Sequence, residues 1–177
     1  MQSSQSKGLV IVNTGNGKGK TTAALGLALR SVGWGKRVCM LQFIKNKRGN
    51  WGEIKMASKL GLEIITCGDG FTWQSKDPAH SAELACAAWL EAQKRILSGE
   101  YELIILDEFT YTMSLGWLDT QEVVDWLREN KPAGLHLVIT GRDAPQALID
   151  YADLVTEMRE IKHPFQTGLP AQKGIEF

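Results

Sequence analysis

The chain has 177 residues, of which 44% are hydrophobic and 23% charged, and its 20 basic side chains balance 20 acidic ones. Such a composition is typical of a soluble globular protein, and a neutral chain gives no reason to expect nucleic acid or an anionic membrane as a partner. No apolar run approaches the roughly 18 residues that a membrane helix needs. Three widely separated cysteines favour a reducing compartment over a disulfide framework. We therefore expect a cytoplasmic protein.

The first seven residues differ from the rest of the chain in composition. Residues 1–7 lack the apolar segment and cleavage pattern of a secretory signal, so we expect a short disordered lead. Residues 8–177 contain no linker or repeat, and their number suits one domain. The sequence predicts a single nucleotide-binding domain over residues 8–177.

Short apolar runs rich in β-branched residues alternate with helix-like stretches. The runs are continuously apolar, which is typical of parallel strands covered by helices on both sides. The predicted strands are 9–12, 38–43, 62–66, 103–106, 135–140 and 154–157, and the predicted helices are 20–32, 81–97, 120–130 and 145–151. We expect an α/β fold with a mainly parallel six-stranded sheet, helices on both faces, and a ligand site beyond the carboxyl ends of the strands.

The stretch NTGNGKGKTT, residues 13–22, follows the first strand and opens the first helix. The usual phosphate-binding pattern is Gly, four free residues and Gly-Lys-Ser/Thr, whereas Thr14 stands where the first Gly is expected. Gly15, Gly17 and Gly19 permit backbone conformations that turn N–H groups onto phosphate oxygens, and the helix N-terminus adds partial positive charge. The context predicts a phosphate-binding loop. The alternative is a glycine-rich turn that only caps a helix.

Side chains at the end of this loop carry the expected chemistry. Lys20 is predicted to neutralise phosphate oxygens, and Thr21 to offer its hydroxyl to Mg²⁺. Lys18 and Thr22 are placed to add further contacts to the phosphates.

A second motif is YELIILDE, residues 101–108, an apolar strand that ends in Asp107 and Glu108. A carboxylate at the end of a neighbouring strand can hold Mg²⁺ directly or through water. In hydrolytic ATPases the residue after that Asp often activates water. The two motifs together predict a site for ATP and Mg²⁺ and leave kinase, hydrolase and other transferase activities open.

Two further features lie at predicted strand ends. Phe71 and Trp73 in the segment GFTW alternate, so in an extended chain both would point the same way and form an apolar wall for a flat ligand. Taken alone, the pair is more typical of ordinary packing. Arg142 follows the fifth strand and could approach a ligand, although a surface role is equally consistent with the sequence.

Five stretches occur in the order found in one enzyme family: NTGNGKGKTT, then QFIK at 42–45, GFTW at 70–73, LDEFTY at 106–111 and REIKHPFQTGLPAQKGIEF at 159–177. The chain resembles the phosphate-loop ATP:corrinoid adenosyltransferases, also called cob(I)yrinic acid a,c-diamide adenosyltransferases, over nearly all of residues 8–177. The resemblance implies a RecA-like domain, a homodimer, and transfer of the 5′-deoxyadenosyl group of ATP to the cobalt of a reduced corrinoid with release of triphosphate. The acceptor would be cob(I)alamin or cob(I)yrinic acid a,c-diamide, in adenosylcobalamin biosynthesis or salvage.

The resemblance also implies roles for individual residues. Arg30 matches an arginine near the nucleotide, and Phe71 and Trp73 match aromatics under the corrin ring. Thr21 with Asp107 or Glu108 would hold Mg²⁺. The triphosphate would be held by Gly15, Asn16, Gly17, Lys18, Gly19, Lys20, Thr21 and Thr22.

The chemistry of this reaction fits the absence of an obvious catalytic dyad. Cobalt(I) is itself the nucleophile, so no base is required, and His80, His136 and His163 are more consistent with structural roles. Phe71 and Trp73 against the lower corrin face would exclude an axial donor and ease reduction of cobalt(II). A transient reductase is expected as the electron donor. The alternatives are a RecA-type ATPase or kinase acting on another small molecule and a nucleotide-regulated binding module.

Overall fold

A computed structural model describes residues 7–46, 51–68, 70 and 78–176 of the chain. Strands and helices alternate through most of these residues, and a short 3₁₀ helix, Pro164–Thr167, follows the last strand. In chain order the elements are β1 Val10–Thr14, α1 Lys20–Gly33, β2 Val38–Asn46, α2 Gly52–Leu60, β3 Leu62–Gly68, α3 Pro78–Leu97, β4 Leu103–Asp107, α4 Thr110–Ser114, α5 Thr120–Asn130, β5 His136–Thr140, α6 Gln146–Tyr151 and β6 Leu154–Glu157.

The described strands form one six-stranded sheet in the order β3-β2-β4-β5-β1-β6. Every pairing is parallel, so the predicted sheet is confirmed and is wholly rather than mainly parallel. The expectation that the strand ending in Asp107 neighbours the strand before the loop is wrong, because β5 lies between β4 and β1. Apolar runs report which strands are buried but carry no information on their order.

Helices cover both faces of the sheet, as the sequence predicted. Successive side chains of β4 alternate between the faces, so Ile105 packs with α1 and α2, and Ile104 packs with α3, α5 and α6. The buried helical residues of the two core clusters are Ala24, Ala28 and Ala57 on the first face, and Ala88, Trp89, Ala92, Ile96, Met113, Val123, Val124, Leu127 and Leu148 on the second. Within the described residues, none of the helices combines the length and apolar character needed to span a membrane.

The helix α2 is an element that the sequence analysis did not predict. Ala57 and Leu60 contribute to the core at helical spacing, and Gly61 ends the helix with φ of 67°. Spacing and a C-terminal glycine are recognised helix signals, but the basic, glycine-containing stretch before α2 reads as a loop. The short helix α4 was not predicted either. The four helices that were predicted overlap α1, α3, α5 and α6.

Candidate functional site

The loop 15–19 between β1 and α1 is shaped by glycines at both ends. Gly15 has φ of 92° and Gly19 has φ of 107°, which are left-handed conformations that other residues adopt only with strain. Gly19 is also the N-cap of α1, and no side chain among the described residues caps that helix end. The N–H groups of the first turn of α1 are therefore available to an anionic ligand.

The chain after β6 supports this loop from behind. The N–H of Met158 donates to the carbonyl of Thr14 at 2.8 Å, and the N–H of Gly17 donates to the carbonyl of Met158 at 2.6 Å. A Cβ atom at Gly15 would lie 2.6 Å from that Met158 oxygen, and one at Gly17 would lie 2.7 Å from it. The two glycines thus allow a close approach of two backbones, which the sequence pattern did not reveal.

Thr14, which replaces the expected first Gly, is buried and has a defined contact. Its hydroxyl accepts a hydrogen bond from the N–H of Ala144 at 3.2 Å. One residue earlier, the carbonyl of Asn13 accepts from the N–H of Gly141, also at 3.2 Å. The departure from the usual pattern therefore connects the end of β1 to the segment after β5.

The side chain of Lys20 is folded into the loop. It is only 8% exposed, and its Nζ donates to the carbonyl oxygens of Gly15 and Gly17, both at 2.7 Å. Burial lowers the pKa of Lys20 from its ordinary value, and the charge of Glu108 opposes part of this shift. A cation is thereby held in the concave side of a glycine loop, where a phosphate group could replace the carbonyls as its partner.

Asp107 joins three elements of the fold. Its Oδ1 accepts hydrogen bonds from the hydroxyls of Thr21 and Thr140, both at 2.7 Å. The side chain is fully buried, and burial raises the pKa of Asp107, opposed by the charge of Lys45 and by these hydrogen bonds. Sequence reasoning paired Thr21 with Asp107 but missed Thr140, which β5 brings between them. The sequence feature that could have indicated Thr140 is a hydroxyl side chain at the carboxyl end of a buried strand.

Glu108 follows Asp107 in an unusual backbone conformation with φ of 62°. Its N–H donates to the Thr140 hydroxyl at 3.0 Å. Burial and the adjacent Asp107 charge raise the pKa of Glu108 to about 7. This raised pKa distinguishes Glu108 from an ordinary surface carboxylate.

The QFIK stretch at the end of β2 contributes a polar chain beside Asp107. The Nε2 of Gln42 lies 3.5 Å from Asp107 Oδ2 and 3.4 Å from Glu53 Oε1. Lys45 donates to the same Glu53 oxygen at 2.6 Å and lies 4.7 Å from the ring centroid of Trp51. Burial would raise the pKa of Glu53, but the hydrogen bond and charge of Lys45, together with the bonds from the Glu53 backbone and Gln42, outweigh burial, so the pKa is lowered. This chain extends the site from β4 to α2.

The segment near the C-terminus returns to the loop. Lys18, whose side chain is 51% exposed, forms an ion pair with Glu176. Two of the predicted structural histidines also have identifiable roles: His136 Nδ1 accepts from the N–H of Leu9, and His163 Nδ1 accepts from the N–H of Phe165, both at 3.1 Å. The ion pair places the Glu176 carboxylate beside Lys18, a residue that is predicted to bind phosphate.

The chain is similar to known proteins over almost its whole length. Residues 6–177 match the protein family described as ATP:corrinoid adenosyltransferase BtuR/CobO/CobP. The chain belongs to this family. It is therefore a transferase enzyme of the corrinoid adenosyltransferase class and belongs with adenosylcobalamin biosynthesis, as the sequence predicted.

Individual relatives cover almost the whole chain. A corrinoid adenosyltransferase of Sinorhizobium sp is 43% identical over 174 residues, which is 97% of this chain and 81% of that protein. Corrinoid adenosyltransferase CobA of Salmonella typhimurium is 38% identical over 178 residues, covering 99% of this chain and 89% of that protein.

A solved structure extends the comparison to the fold. The flagellar accessory protein FlaH from Methanocaldococcus jannaschii is similar with a TM-score of 0.56 and 11% identity, over 85% of this chain and 71% of that chain. This likeness concerns the fold alone and confirms the predicted RecA-like α/β class.

The residues that the adenosyltransferase resemblance singled out are only partly brought together. Asn16 and Thr22 are exposed beside the loop. Arg30 is exposed in the last turn of α1, and a rise of 1.5 Å per residue puts it about 15 Å from Lys20 along the helix. Its role near the nucleotide stays a prediction. Phe71 and Trp73 lie outside the described residues, and Arg142 is exposed at the end of β5, where its carbonyl accepts from Thr110.

Proposed function

We propose that this adenosyltransferase grips the triphosphate of ATP with residues 15–22 while the ribose faces the corrinoid. The observation that carries the proposal is the position of Lys20 inside the glycine loop, next to the Thr21–Asp107 hydrogen bond. In the reaction, an electron pair of cobalt(I) forms a bond to C5′ of the ribose. The bond between C5′ and its oxygen breaks, and triphosphate leaves with the bonding electrons.

The residues of the loop would stabilise the leaving group. Lys20 would exchange the carbonyls of Gly15 and Gly17 for phosphate oxygens, and Lys18 would add a second positive charge. The N–H groups of the first turn of α1 would donate to the same anion. Because charge accumulates on the triphosphate as the C5′–O bond breaks, these fixed donors stabilise the transition state more than the ground state.

The residues around Asp107 fit Mg²⁺. Magnesium prefers oxygen ligands and is usually held by one or two carboxylates together with substrate phosphates and water. The hydroxyls of Thr21 and Thr140 meet the Asp107 carboxylate at the carboxyl ends of β4 and β5, and Glu108 follows Asp107 with its backbone N–H bonded to Thr140. We propose that Thr21 with Asp107 or Glu108 holds the cation, which would neutralise part of the triphosphate charge.

The orientation of ATP follows from which atom is attacked. A kinase presents its outermost phosphate to the acceptor, whereas attack at C5′ requires the ribose to face the corrin ring. We propose that the loop holds the triphosphate in an orientation different from that in kinases, supported by the hydrogen bond of Thr14 to Ala144 at the place of the usual first Gly. A nucleotide complex with the γ-phosphate seated as in ordinary kinases would contradict this orientation.

Three further proposals have separate grounds: the first rests on the family resemblance, the second on the need to reduce cobalt(II), and the third on the cysteine content of the sequence. They are a homodimer, a transiently bound reductase that supplies the electron, and a cytoplasmic location. Sedimentation velocity would test the first, and a coupled assay that starts from cobalt(II) with a flavoprotein reductase would test the second. A monomer that is fully active at assay concentration would contradict the homodimer.

A product analysis tests the proposed reaction. The protein is incubated with Mg-ATP and chemically reduced cobalamin while the corrinoid spectrum is recorded, and the phosphates are identified by ³¹P NMR. We expect a light-sensitive alkylcobalamin and triphosphate in equal amounts. ADP with an unchanged corrinoid would instead indicate an ATPase or kinase, and intact ATP would indicate a binding module.

A pair of lysine variants tests the role of the loop in the same assay. Lys20→Met should reduce the rate by at least about 100-fold, because a charge-assisted contact to the leaving group is lost. Lys59→Met, an exposed lysine in the last turn of α2, is the matched control and should retain the full rate. Equal rates for the two variants would remove Lys20 from the proposed mechanism.

A further inference from the structure

The Gln42 side chain is a buried amide beside the carboxylate of Asp107. The two residues form the last register pair between β2 and β4, at the carboxyl end of β4, and both are fully buried. Nε2 of Gln42 lies between Asp107 Oδ2, at 3.5 Å, and Glu53 Oε1, at 3.4 Å. Both distances are long for hydrogen bonds, so neither carboxylate holds the amide strongly.

The opposite atom of this amide is unsatisfied. Oε1 of Gln42 is buried and has no hydrogen-bond partner among the described residues. Exchanging the positions of the amide oxygen and nitrogen would not give the oxygen a donor, because it would then face the carboxylate oxygens of Asp107 and Glu53. A buried acceptor without a donor costs free energy, and a methionine of similar length would fill the same space without that cost. The fold alone therefore gives no reason for an amide here.

The two oxygens of Asp107 are in different situations. Oδ1 accepts from Thr21 and Thr140 at 2.7 Å, whereas among the described residues Oδ2 has only the long contact to Gln42. Oδ2 is thus the oxygen left for a ligand, and the Gln42 amide is next to it. Mg²⁺ keeps several water molecules in protein sites, and the protons of those waters need acceptors.

We propose that Gln42 is a positioning residue for the divalent cation: its Nε2 lies beside Asp107 Oδ2, and its Oε1 accepts a hydrogen bond from cation-bound water. This inference rests on the proposed function, in which Asp107 takes part in holding Mg²⁺. The Lys45–Glu53 ion pair supports the amide from its other side, because the Glu53 oxygen that Nε2 faces is fixed by Lys45 at 2.6 Å. A polar chain thus links the end of β2 to the cation site.

Binding of ATP without corrinoid provides a test that does not depend on turnover. The affinity for ATP is measured by calorimetry in excess Mg²⁺ and again in EDTA, for the wild-type protein and for Gln42→Met. In the wild type, Mg²⁺ should strengthen binding. In EDTA, Gln42→Met should bind ATP with the same affinity as the wild type. The factor by which Mg²⁺ increases the ATP affinity should be about 10-fold or more smaller in the variant. Gln121→Met, an exposed amide on α5 that donates to Asp125, is the control and should keep the full gain.

The possible results separate this inference from the proposed function. If Mg²⁺ does not affect ATP binding by the wild type, the proposed cation site fails and the inference fails with it. If Mg²⁺ strengthens binding equally in wild type and Gln42→Met, only the inference is overturned. If Gln42→Met weakens binding by the same factor in Mg²⁺ and in EDTA, Gln42 has a structural role and the inference is again overturned.

A measurement on the wild-type protein covers the case in which Gln42→Met does not fold. The side-chain amide of Gln42 is assigned by ¹⁵N NMR in the ATP complex, first in EDTA and then with Mg²⁺ added. A new hydrogen bond at Oε1 should shift the Gln42 ¹⁵N resonance, while that of Gln121 should stay in place. An unchanged Gln42 resonance would overturn the inference.

Discussion

Thr21 and Thr140 donate hydrogen bonds to the same carboxylate oxygen of Asp107, each at 2.7 Å, one from a helix and one from a strand. The Thr140 hydroxyl also accepts from the N–H of Glu108. A single hydroxyl group thus fixes the carboxylate of one residue and the backbone of the next.

Thr140→Val should therefore destabilise the protein, because it leaves a buried carboxylate with one donor fewer and an N–H without its acceptor. We expect the free energy of unfolding, measured with urea, to fall by about 1–3 kcal/mol. Thr156→Val, at an exposed position on β6, is the control and should change it by less than about 0.5 kcal/mol. Similar small effects for both variants would mean that the Asp107 network contributes little to stability.

Gly17→Ala should disturb the close contact between the loop and the backbone of residues 158–159. The added Cβ would lie 2.7 Å from the Met158 oxygen and 2.8 Å from the carbonyl carbon of Arg159, both backbone atoms that cannot rotate away. We expect a loss of about 1–3 kcal/mol in the free energy of unfolding and weaker ATP binding. Gly26→Ala, in the middle of α1 with no atom within 4 Å of the new Cβ, should instead stabilise by about 0.5–1 kcal/mol. If Gly26→Ala destabilises the protein as much as Gly17→Ala does, the close backbone contact at Gly17 is not the cause of the loss.

The raised pKa of Glu108 predicts a pH dependence of stability. The carboxyl has a pKa of about 7 in the folded protein, against an ordinary value of 4.5. Between these values the folded state holds a proton that the unfolded state has lost, so stability should fall as pH rises from 4.5 towards 7 and level off above. The full shift corresponds to at most roughly 3 kcal/mol.

Glu108→Gln isolates this contribution, because glutamine imitates the protonated acid at every pH. The variant should be more stable than the wild type at pH 8, and the difference should shrink towards zero as pH falls to 4.5. Urea unfolding at a series of pH values measures it. A difference that is independent of pH would show that Glu108 does not titrate in this range.

Glu176→Gln should strengthen ATP binding, because the carboxylate competes with phosphate for Lys18. The pair is partly exposed, so we expect a modest decrease of about twofold to fivefold in the dissociation constant, smaller at high salt. Glu160→Gln, an exposed residue that accepts from Gln166, should leave the constant unchanged. Weaker binding by Glu176→Gln would indicate that the carboxylate supports the site.

Phe71→Ala and Trp73→Ala test the apolar wall proposed for the lower face of the corrin ring. Each should leave ATP affinity intact and impair the reaction that starts from cobalt(II) more than the one that starts from prereduced cobalt(I). The ratio of the two rates, measured from the corrinoid spectrum, is the readout. If the rates from cobalt(II) and from cobalt(I) fall by the same factor, Phe71 and Trp73 have only a packing role.

The sequence predicted the parts of the site that lie in one continuous motif. The loop 15–19, with Lys20 and Thr21 at its end, was predicted from residue type and spacing, whereas the pairing of Thr21 with Asp107 or Glu108 was implied only by the family resemblance. All six strands were predicted as well; a continuously apolar run indicates burial on both faces, as in β4 and most of β1 and β5, whereas β6 is an exposed edge strand.

The remaining features depend on contacts between distant segments. Thr140 reaches Asp107 only because β5 lies between β4 and β1, and strand order has no signature in local composition. Met158 supports the loop through its backbone, which no side-chain pattern records. The role of Gln42 beside Asp107 depends on the register of β2 and β4, so the QFIK motif pointed to the family without showing its chemistry.

The position of Met158 behind Gly17 has a consequence for biosynthesis. The loop leaves the ribosome early, but the backbone that supports it belongs to the segment after β6, the last strand to be made. A nascent chain that has emerged only as far as α6 carries the whole loop without the Met158 backbone that contacts it. The contacts that hold the loop against residues 158–159 therefore form only after β6 has been made and lies beside β1.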